Sequence, residues 1–109
     1  MKLIIAIVQD EDANRLVSAL MNDGYGVTKL ATTGGFLRAG NTTLMIGVQK
    51  DKLDDAMGVI EKICKSRKQI ATTPSPMSGG NGAYVPFPIE VVVGGATVFV
   101  LDVDQFKKF

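Results

Sequence analysis

The chain has 109 residues, a formal net charge of +1, one cysteine and no histidine, and 46% of its residues are hydrophobic. This length predicts one domain over residues 1–109, and the near-neutral charge excludes the strongly basic surface on which nucleic-acid-binding proteins depend. Without histidine or a second cysteine, an internal disulfide, Cys-His nucleophilic catalysis and histidine-based zinc or acid–base sites are all excluded.

The first half of the chain predicts a strand, a helix and two further strands. Residues 2–8 form a short, β-branched apolar run, which predicts a strand buried on both faces. The run is too short for a signal peptide or a membrane span, so we expect a cytoplasmic protein. Asp10 or Asp12 is expected to cap the helix, Gly24 to follow its last turn, and strands to cover residues 25–31 and 43–49. The apolar residues that follow at helical spacing are Ala13, Leu16, Val17, Leu20 and Met21.

A second helix and a proline-rich segment come next. Asp51 is expected to cap the helix, whose apolar spacing places Cys64 on the inner side as a buried, unreactive thiol. We interpret the basic residues among 62–68 as the solvated C-terminal end of this helix. Residues 69–73 predict a short edge strand, and residues 72–88, which contain all four prolines, predict a long loop. The inner stripe comprises Leu53, Ala56, Met57, Ile60, Ile63 and Cys64.

The end of the chain predicts a β-hairpin and fixes the fold class. Residues 89–93 and 96–103 are expected to pair around Gly94 and Gly95, and Phe106 and Phe109 to dock the tail onto the body. The main elements then follow the order βαββαβ, which predicts an α+β, ferredoxin-like fold with an extra β-hairpin strand and both helices on one face. Several strands are apolar on both faces, so we expect oligomerisation to cover the open sheet face, and three sheets closing around an axis satisfy this.

Residues 31–47, with the sequence ATTGGFLRAGNTTLMIG, form the most distinctive stretch. Its glycines permit a close approach of backbone amides to a ligand, and such amides can form an anion-binding nest. Phe36 offers a flat face for a base, and Asn41 offers both donors and acceptors. An ordinary hairpin loop is the alternative, but the apolar Phe-Leu-Arg at its tip favours a ligand site.

Several segments together resemble the PII-like cyclic-di-AMP receptor family of Firmicutes, the PstA/DarA type. The segments are MKLIIAIVQD, VTKLATTGGFLRAGNTT, SPMSGG, YVPFPIEV and VGGATVFVLDVDQF, so the resemblance runs from end to end. It implies a PII-like homotrimer with a short T-loop at about residues 32–42 and a long B-loop at about residues 72–88. It also implies three cyclic-di-AMP pockets at the subunit interfaces, and neither cofactor, metal nor catalytic activity.

The same resemblance assigns roles to individual residues. Thr28 and Asn41 are expected to hydrogen-bond polar edges of the ligand, and Gly47 to leave room for an adenine. Phe99 is expected to wall the pocket from a neighbouring subunit. The backbone of residues Gly35, Phe36 and Leu37 is expected to approach the phosphates and a base of the ligand. Considered without the resemblance, Thr28, Asn41, Gly47 and Phe99 are each typical of ordinary strand, turn or core positions.

The sequence departs from the family pattern at Gly26, where many relatives have an arginine that can form a charge-assisted contact with a phosphate. Arg38 in the loop and Lys108 in the tail of the adjoining subunit are possible additional contacts. We therefore expect cyclic di-AMP to bind in the family's mode, with weaker affinity because of Gly26.

The expected function is signal transduction, in which ligand binding orders the loops and alters the interaction with a protein partner that the sequence does not identify. The alternatives are a PII-like sensor of ATP or ADP and a trimeric scaffold without a ligand. An enzyme is the weakest interpretation, because the acidic residues near the two helix starts are expected to be capping and solvated groups.

Overall fold

The fold was described from a computed structural model covering residues 1–30, 40–74 and 86–109, without the side chains of residues 71–74 and 86–87. Six strands, two helices and one short 3-10 turn are present in these residues. In chain order they are β1 (Lys2–Gln9), α1 (Asp10–Asn22), β2 (Gly26–Leu30), β3 (Asn41–Val48), the turn Lys50–Lys52, α2 (Leu53–Cys64), β4 (Arg67–Pro74), β5 (Pro86–Val93) and β6 (Ala96–Asp102).

A four-stranded antiparallel sheet carries the core. Its strand order is β2-β3-β1-β6, and with α1 and α2 it has the βαββαβ connectivity that the sequence predicted. Alternate residues of β1 and β3 point to opposite faces, and the even-numbered ones other than Lys2 are buried against the helices. These core residues include Ile4, Ala6, Val8, Leu44, Ile46 and Val48.

The two helices complete this core with the predicted apolar stripes. Ala13, Leu16 and Leu20 of α1 are buried, while Met21, which follows at the same helical spacing, is 60% exposed. Ala56, Ile60 and Cys64 of α2 are buried as expected. Burial also raises the pKa of the Cys64 thiol to about 11, so it stays protonated at neutral pH. No helix in the described part of the chain is long and apolar enough to cross a membrane.

The predicted hairpin between residues 89–93 and 96–103 is wrong. β5 pairs with β4 in a separate two-stranded ribbon, from Arg67 opposite Val93 to Pro74 opposite Pro86, whereas β6 pairs with β1. Gly94 and Gly95, both with positive φ, therefore join the ribbon to the main sheet. A local pattern cannot choose between partners, and pairing with β1 lets Val98 pack against the core.

This pairing also corrects the limits of the two predicted loops. The short edge strand at 69–73 extends over Arg67–Pro74, and residues 86–88 belong to β5, so the predicted B-loop at 72–88 was too long at both ends. Residues 41 and 42 of the predicted T-loop belong to β3. Residues 32–39 and 75–85, the remainder of both loops apart from Gly40, lie outside the described residues, as does residue 31, the expected end of the second strand.

The helix ends confirm one predicted cap and correct the others. Tyr25 N–H donates to the Leu20 carbonyl and Gly24 N–H to that of Met21, each at 3.0 Å, which is the Schellman ending expected around Gly24. At the start of α1, however, the N-cap is Gln9, whose side chain forms no capping hydrogen bond with the first turn of the helix. The predicted caps Asp10 and Asp12 lie inside the helix, and Asp51 lies in the 3-10 turn before α2.

The C-terminal tail does not fold back within one chain. Phe106 is 64% exposed and Phe109 is fully exposed, so the expected docking of both rings onto the body of the same subunit was wrong. The tail starts beside the N-terminus, where Val103 N–H donates to the Met1 carbonyl at 3.2 Å.

Candidate functional site

The face of the sheet turned away from the helices is largely apolar and only partly covered. The odd-numbered residues of β1 and β3 point to this open face, and those of β1 are half-buried. Phe99 and Leu101 of β6 lie on it and are 53% and 44% exposed. Isolated apolar residues on a surface are ordinary, but a continuous apolar sheet face is typical of an interface.

Three predicted site residues lie together at the β2–β3 edge of this open face. Gly26 is directly opposite Gly47, and Thr28 is opposite Met45, two residues along each strand. All three predicted residues are exposed. The structure therefore brings Gly26, Thr28 and Gly47 into one accessible patch.

Phe99 lies on the same face but at the opposite edge of the sheet. The pairing register aligns it with Ile5, Met45 and Thr28 in one row across the four strands. Three strand spacings separate Thr28 from Phe99, which is about 14 Å. Within one chain these two residues cannot wall the same small pocket.

Asn41 lies at the other end of β3, about 20 Å along the strand from Gly47. Its neighbours are held by the first turn of α1: Asp10 N–H donates to the Gly40 carbonyl at 2.6 Å, and the Thr42 hydroxyl donates to the Asp10 carboxylate. Asn41 itself pairs with Gln9 in the sheet. The segment that follows residue 39 is thus anchored to the helix start.

The other predicted contacts are only partly placed. Gly35, Phe36, Leu37 and Arg38 lie outside the described residues. Lys108 is in the exposed tail, which leaves the sheet at the same end as Gly47, because Leu101 and Gly47 both pair with Leu3. The tail and the glycine patch therefore start from one end of the sheet.

A cavity of about 260 Å³ opens beside the glycine patch. Gly24, Gly26 and Gly47 contribute backbone alone to its lining, so flat groups can approach the amides closely. A Cβ added at Gly47 meets only the Met1 methyl carbon, at 3.9 Å, and one added at Gly26 meets nothing within 4 Å. The other lining residues are Met1, Asp23, Tyr25, Val48, Gln49, Lys52 and Asp55.

Tyr25 and Asp55 form the polar wall of this cavity. The Tyr25 hydroxyl donates to the Asp55 carboxylate and lies 3.4 Å from the Lys52 carbonyl oxygen. This hydrogen bond is the main reason that the pKa of Tyr25 is raised to about 12, since ionisation removes the donor and places two anions together. At neutral pH this wall therefore presents the neutral phenol of Tyr25 beside the carboxylate of Asp55.

Comparison with known proteins identifies the family to which this arrangement belongs. A family model described as cyclic-di-AMP receptor matches residues 1–109, the whole chain. The chain belongs to the cyclic-di-AMP receptor family. The chain is also similar to a solved structure of a functionally unknown protein from Pediococcus pentosaceus ATCC 25745. The two share 44% sequence identity over 99% of this chain and 96% of that chain, with a TM-score of 0.79.

In this cyclic-di-AMP receptor family member, the sequence reasoning missed the polar residues that hold the site's surroundings. Tyr25 and Asp55 are 30 residues apart, and Asp12 and Arg67, which form an ion pair at the base of the ribbon, are 55 apart. Asp12 is only 1% exposed, so treating it as a solvated group was wrong, and Arg67 lies beyond the end of α2. A buried acid in a helix's apolar stripe was the one available signal.

The hydrogen bond between Tyr25 and Asp55 can be tested by titrating the Tyr25 phenol. The folded pKa is above the ordinary value of 10.0, so this bond adds stability below about pH 10 and loses it as pH rises towards 12. In an ultraviolet titration of the Tyr84→Phe variant, we expect Tyr25 to ionise near pH 12, and Asp55→Asn to move this midpoint down. An unchanged midpoint in Asp55→Asn contradicts the assigned cause.

Proposed function

We propose that this protein is a cytoplasmic receptor that binds cyclic di-AMP between the subunits of a homotrimer and passes the signal to a protein partner. The family match over the whole chain supports the ligand class. The observation that carries the binding mode is the placement of Gly26, Thr28 and Gly47 at one edge of the open face, with Phe99 at the other. Two edges of one sheet meet in a single pocket only when a second subunit supplies one of them.

The chemistry of the patch suits this ligand. Cyclic di-AMP has two flat adenines and two phosphates, which need open backbone, stacking surfaces and amide or hydroxyl donors. The glycine-lined cavity offers open backbone, and the exposed Thr28 offers a hydroxyl donor. We assign the contacts to the phosphates and one base to Gly35, Phe36 and Leu37, with Asn41 on a polar edge.

The same open face supports an oligomer, and the family resemblance supports three subunits in it. Phe99, Leu101 and the half-buried Leu3 and Ile5 leave an apolar surface that a symmetric assembly buries. Size-exclusion chromatography with light scattering is the test, and we expect a mass about three times that of the subunit. A monomer at micromolar concentration contradicts the proposal.

The signal is proposed to pass through the first turn of α1. Gln9 pairs with Asn41 through its backbone, and its side-chain carbonyl accepts a 2.8 Å hydrogen bond from Gly94 N–H at the base of the β4–β5 ribbon. Asp12, one turn further on, holds Arg67 at the same place. Ligand binding that fixes the conformation of residues 32–42 thus acts on a helix turn that also supports the ribbon, and so changes the surface presented to the partner.

Gly47→Val tests the adenine position. Valine suits a β-strand and its Cβ has space, so we expect a folded protein, but its methyl groups fill the cavity beside Gly26. Cyclic-di-AMP affinity measured by calorimetry should fall by about tenfold or more, because a side chain replaces room for a base. Gly58→Val, at an exposed position of α2 with space for a Cβ, is the control and should bind normally. Equal affinities for the two variants contradict this placement.

Gly26→Arg tests the family departure. An arginine here projects from the open face beside Gly47, where it can form the charge-assisted phosphate contact that many relatives are expected to have. We expect affinity for cyclic di-AMP to rise about tenfold, the equivalent of one hydrogen bond to a charged group. Gly26→Gln, which adds a shorter polar side chain with hydrogen-bond donors and no charge, is the control. A rise of the same size in both variants contradicts a charge contact.

A further inference from the structure

A basic recess lies on the helical side of the molecule, away from the open sheet face. It has a volume of about 270 Å³ and sits where α1, the end of α2 and the start of β4 meet. Four of its five lining residues are cationic, and the fifth is apolar: Arg15, Lys62, Ile63, Lys65 and Arg67. No residue of the cyclic-di-AMP patch lines it.

Hydrogen bonds to Asp12 and to the end of α2 hold the two arginines of the recess in position. Nη2 of Arg15 and Nη2 of Arg67 both donate to Oδ1 of the buried Asp12, at 3.0 and 2.9 Å. Each guanidinium also donates to a carbonyl at the end of α2, Arg15 to Ile63 at 3.3 Å and Arg67 to Lys65 at 3.2 Å. The guanidinium groups are therefore neighbours with little freedom, and each keeps unused N–H donors.

The charge of the recess is only partly balanced by the protein. Asp12 pairs with both arginines and Glu11 adds a second negative charge near Arg67, but Lys62 and Lys65 form no ion pair with any residue in the described ranges. The negative end of α2 offsets about half a charge. Since the whole chain carries only +1, this recess is a local concentration of positive charge rather than part of a basic protein.

We propose that this recess binds an acidic segment of a partner protein, in which carboxylates flank an apolar residue. Carboxylates match the two guanidinium groups and the two ammonium groups, and the apolar residue matches Ile63 between them. Inorganic phosphate pairs with arginines as well, but it leaves the apolar Ile63 without a partner and so matches less of the recess.

The location gives this surface access to both parts of the molecule. Arg67 is the first residue of β4, so a segment bound here touches the helical layer and the base of the ribbon together. The proposal does not depend on cyclic di-AMP binding and can be tested without it.

The test is fluorescence anisotropy with a labelled short peptide in which one leucine has glutamates on both sides, compared with the same peptide carrying glutamines. We compare the native chain with the Lys62→Glu/Lys65→Glu variant, whose changed residues are exposed, and with Lys50→Glu/Lys107→Glu, which has the same change in net charge. We expect the first variant to bind at least about tenfold more weakly, the second to bind within about twofold of the native chain, and binding to weaken with salt.

Four results overturn the proposal. The first three are no binding of the glutamate peptide by the native chain, equal losses in the two double variants, and equal binding of the glutamine peptide. Displacement of the peptide by millimolar inorganic phosphate, with a saturable phosphate isotherm lost in Lys62→Glu/Lys65→Glu, assigns the recess to a small anion and also overturns it. Thermal unfolding of each variant confirms that it is folded.

Discussion

Gly94→Ala is expected to be one of the most damaging single substitutions in the described part of the chain. Gly94 has φ of +81°, and a Cβ there lies 2.5 Å from Arg67 Nη1, 2.7 Å from the Lys65 carbonyl oxygen and 3.1 Å from that of Cys64. The arginine can move, but the two backbone oxygens belong to the end of α2 and cannot easily do so. The left-handed conformation costs about 1–2 kcal/mol and the overpacking about 1–3 kcal/mol more.

Gly95→Ala provides a matched control in the adjacent position. Gly95 also has a positive φ, +93°, but nothing lies within 4 Å of an added Cβ. Urea unfolding should therefore show a loss of about 1–2 kcal/mol for Gly95→Ala and a clearly larger loss for Gly94→Ala. If the two variants lose the same stability, the close contact at the base of the ribbon is not as described.

Asp12→Ala is expected to destabilise the protein by about 2–3 kcal/mol. Asp12 is 1% exposed and is the shared partner of Arg15 and Arg67, so its loss leaves two neighbouring cations uncompensated and an unfilled space. The expected cost is below that of breaking a wholly buried pair, because the arginine side chains are 60% and 35% exposed and solvent screens them.

Asp54→Ala is the control for Asp12→Ala, because Asp54 is an exposed acid in the first turn of α2. Its removal should cost at most about 1 kcal/mol, the usual value for an acid at a helix N-terminus. Measured by urea unfolding, a cost for Asp12→Ala no larger than that for Asp54→Ala contradicts a structural role for the Asp12 cluster.

The fold could be predicted from the sequence wherever periodicity alone determines the element. The apolar run of β1 and the helical spacing of α1 and α2 gave the right elements in the right order, and Gly24 marked a helix end because only its φ matters there. The partner of β5 could not be predicted, because β5 and β6 have similar apolar patterns and their pairing depends on which sheet edge is open.

Some residues of the candidate site could also be predicted from the sequence, and others could not. Gly26, Thr28 and Gly47 were assigned through the family resemblance, and the register of β2 and β3 then placed them together. Asp12 and Arg67 were missed, because an ion pair between residues 55 positions apart leaves no local pattern. The position of Asp12 in the apolar stripe was a sequence signal, but its partner Arg67 can be identified only once the other elements are packed.

Calorimetric titration with cyclic di-AMP tests the central claim most directly, with cyclic di-GMP and ATP as controls and displacement of labelled cyclic di-AMP as a second readout. The account predicts selective binding of cyclic di-AMP at one ligand per subunit, which makes Gly26 a residue that tunes affinity. Neither heat nor displacement with any of the three nucleotides contradicts the receptor proposal and favours a ligand-free scaffold. Tighter binding of ATP than of cyclic di-AMP contradicts it in favour of an adenine-nucleotide sensor.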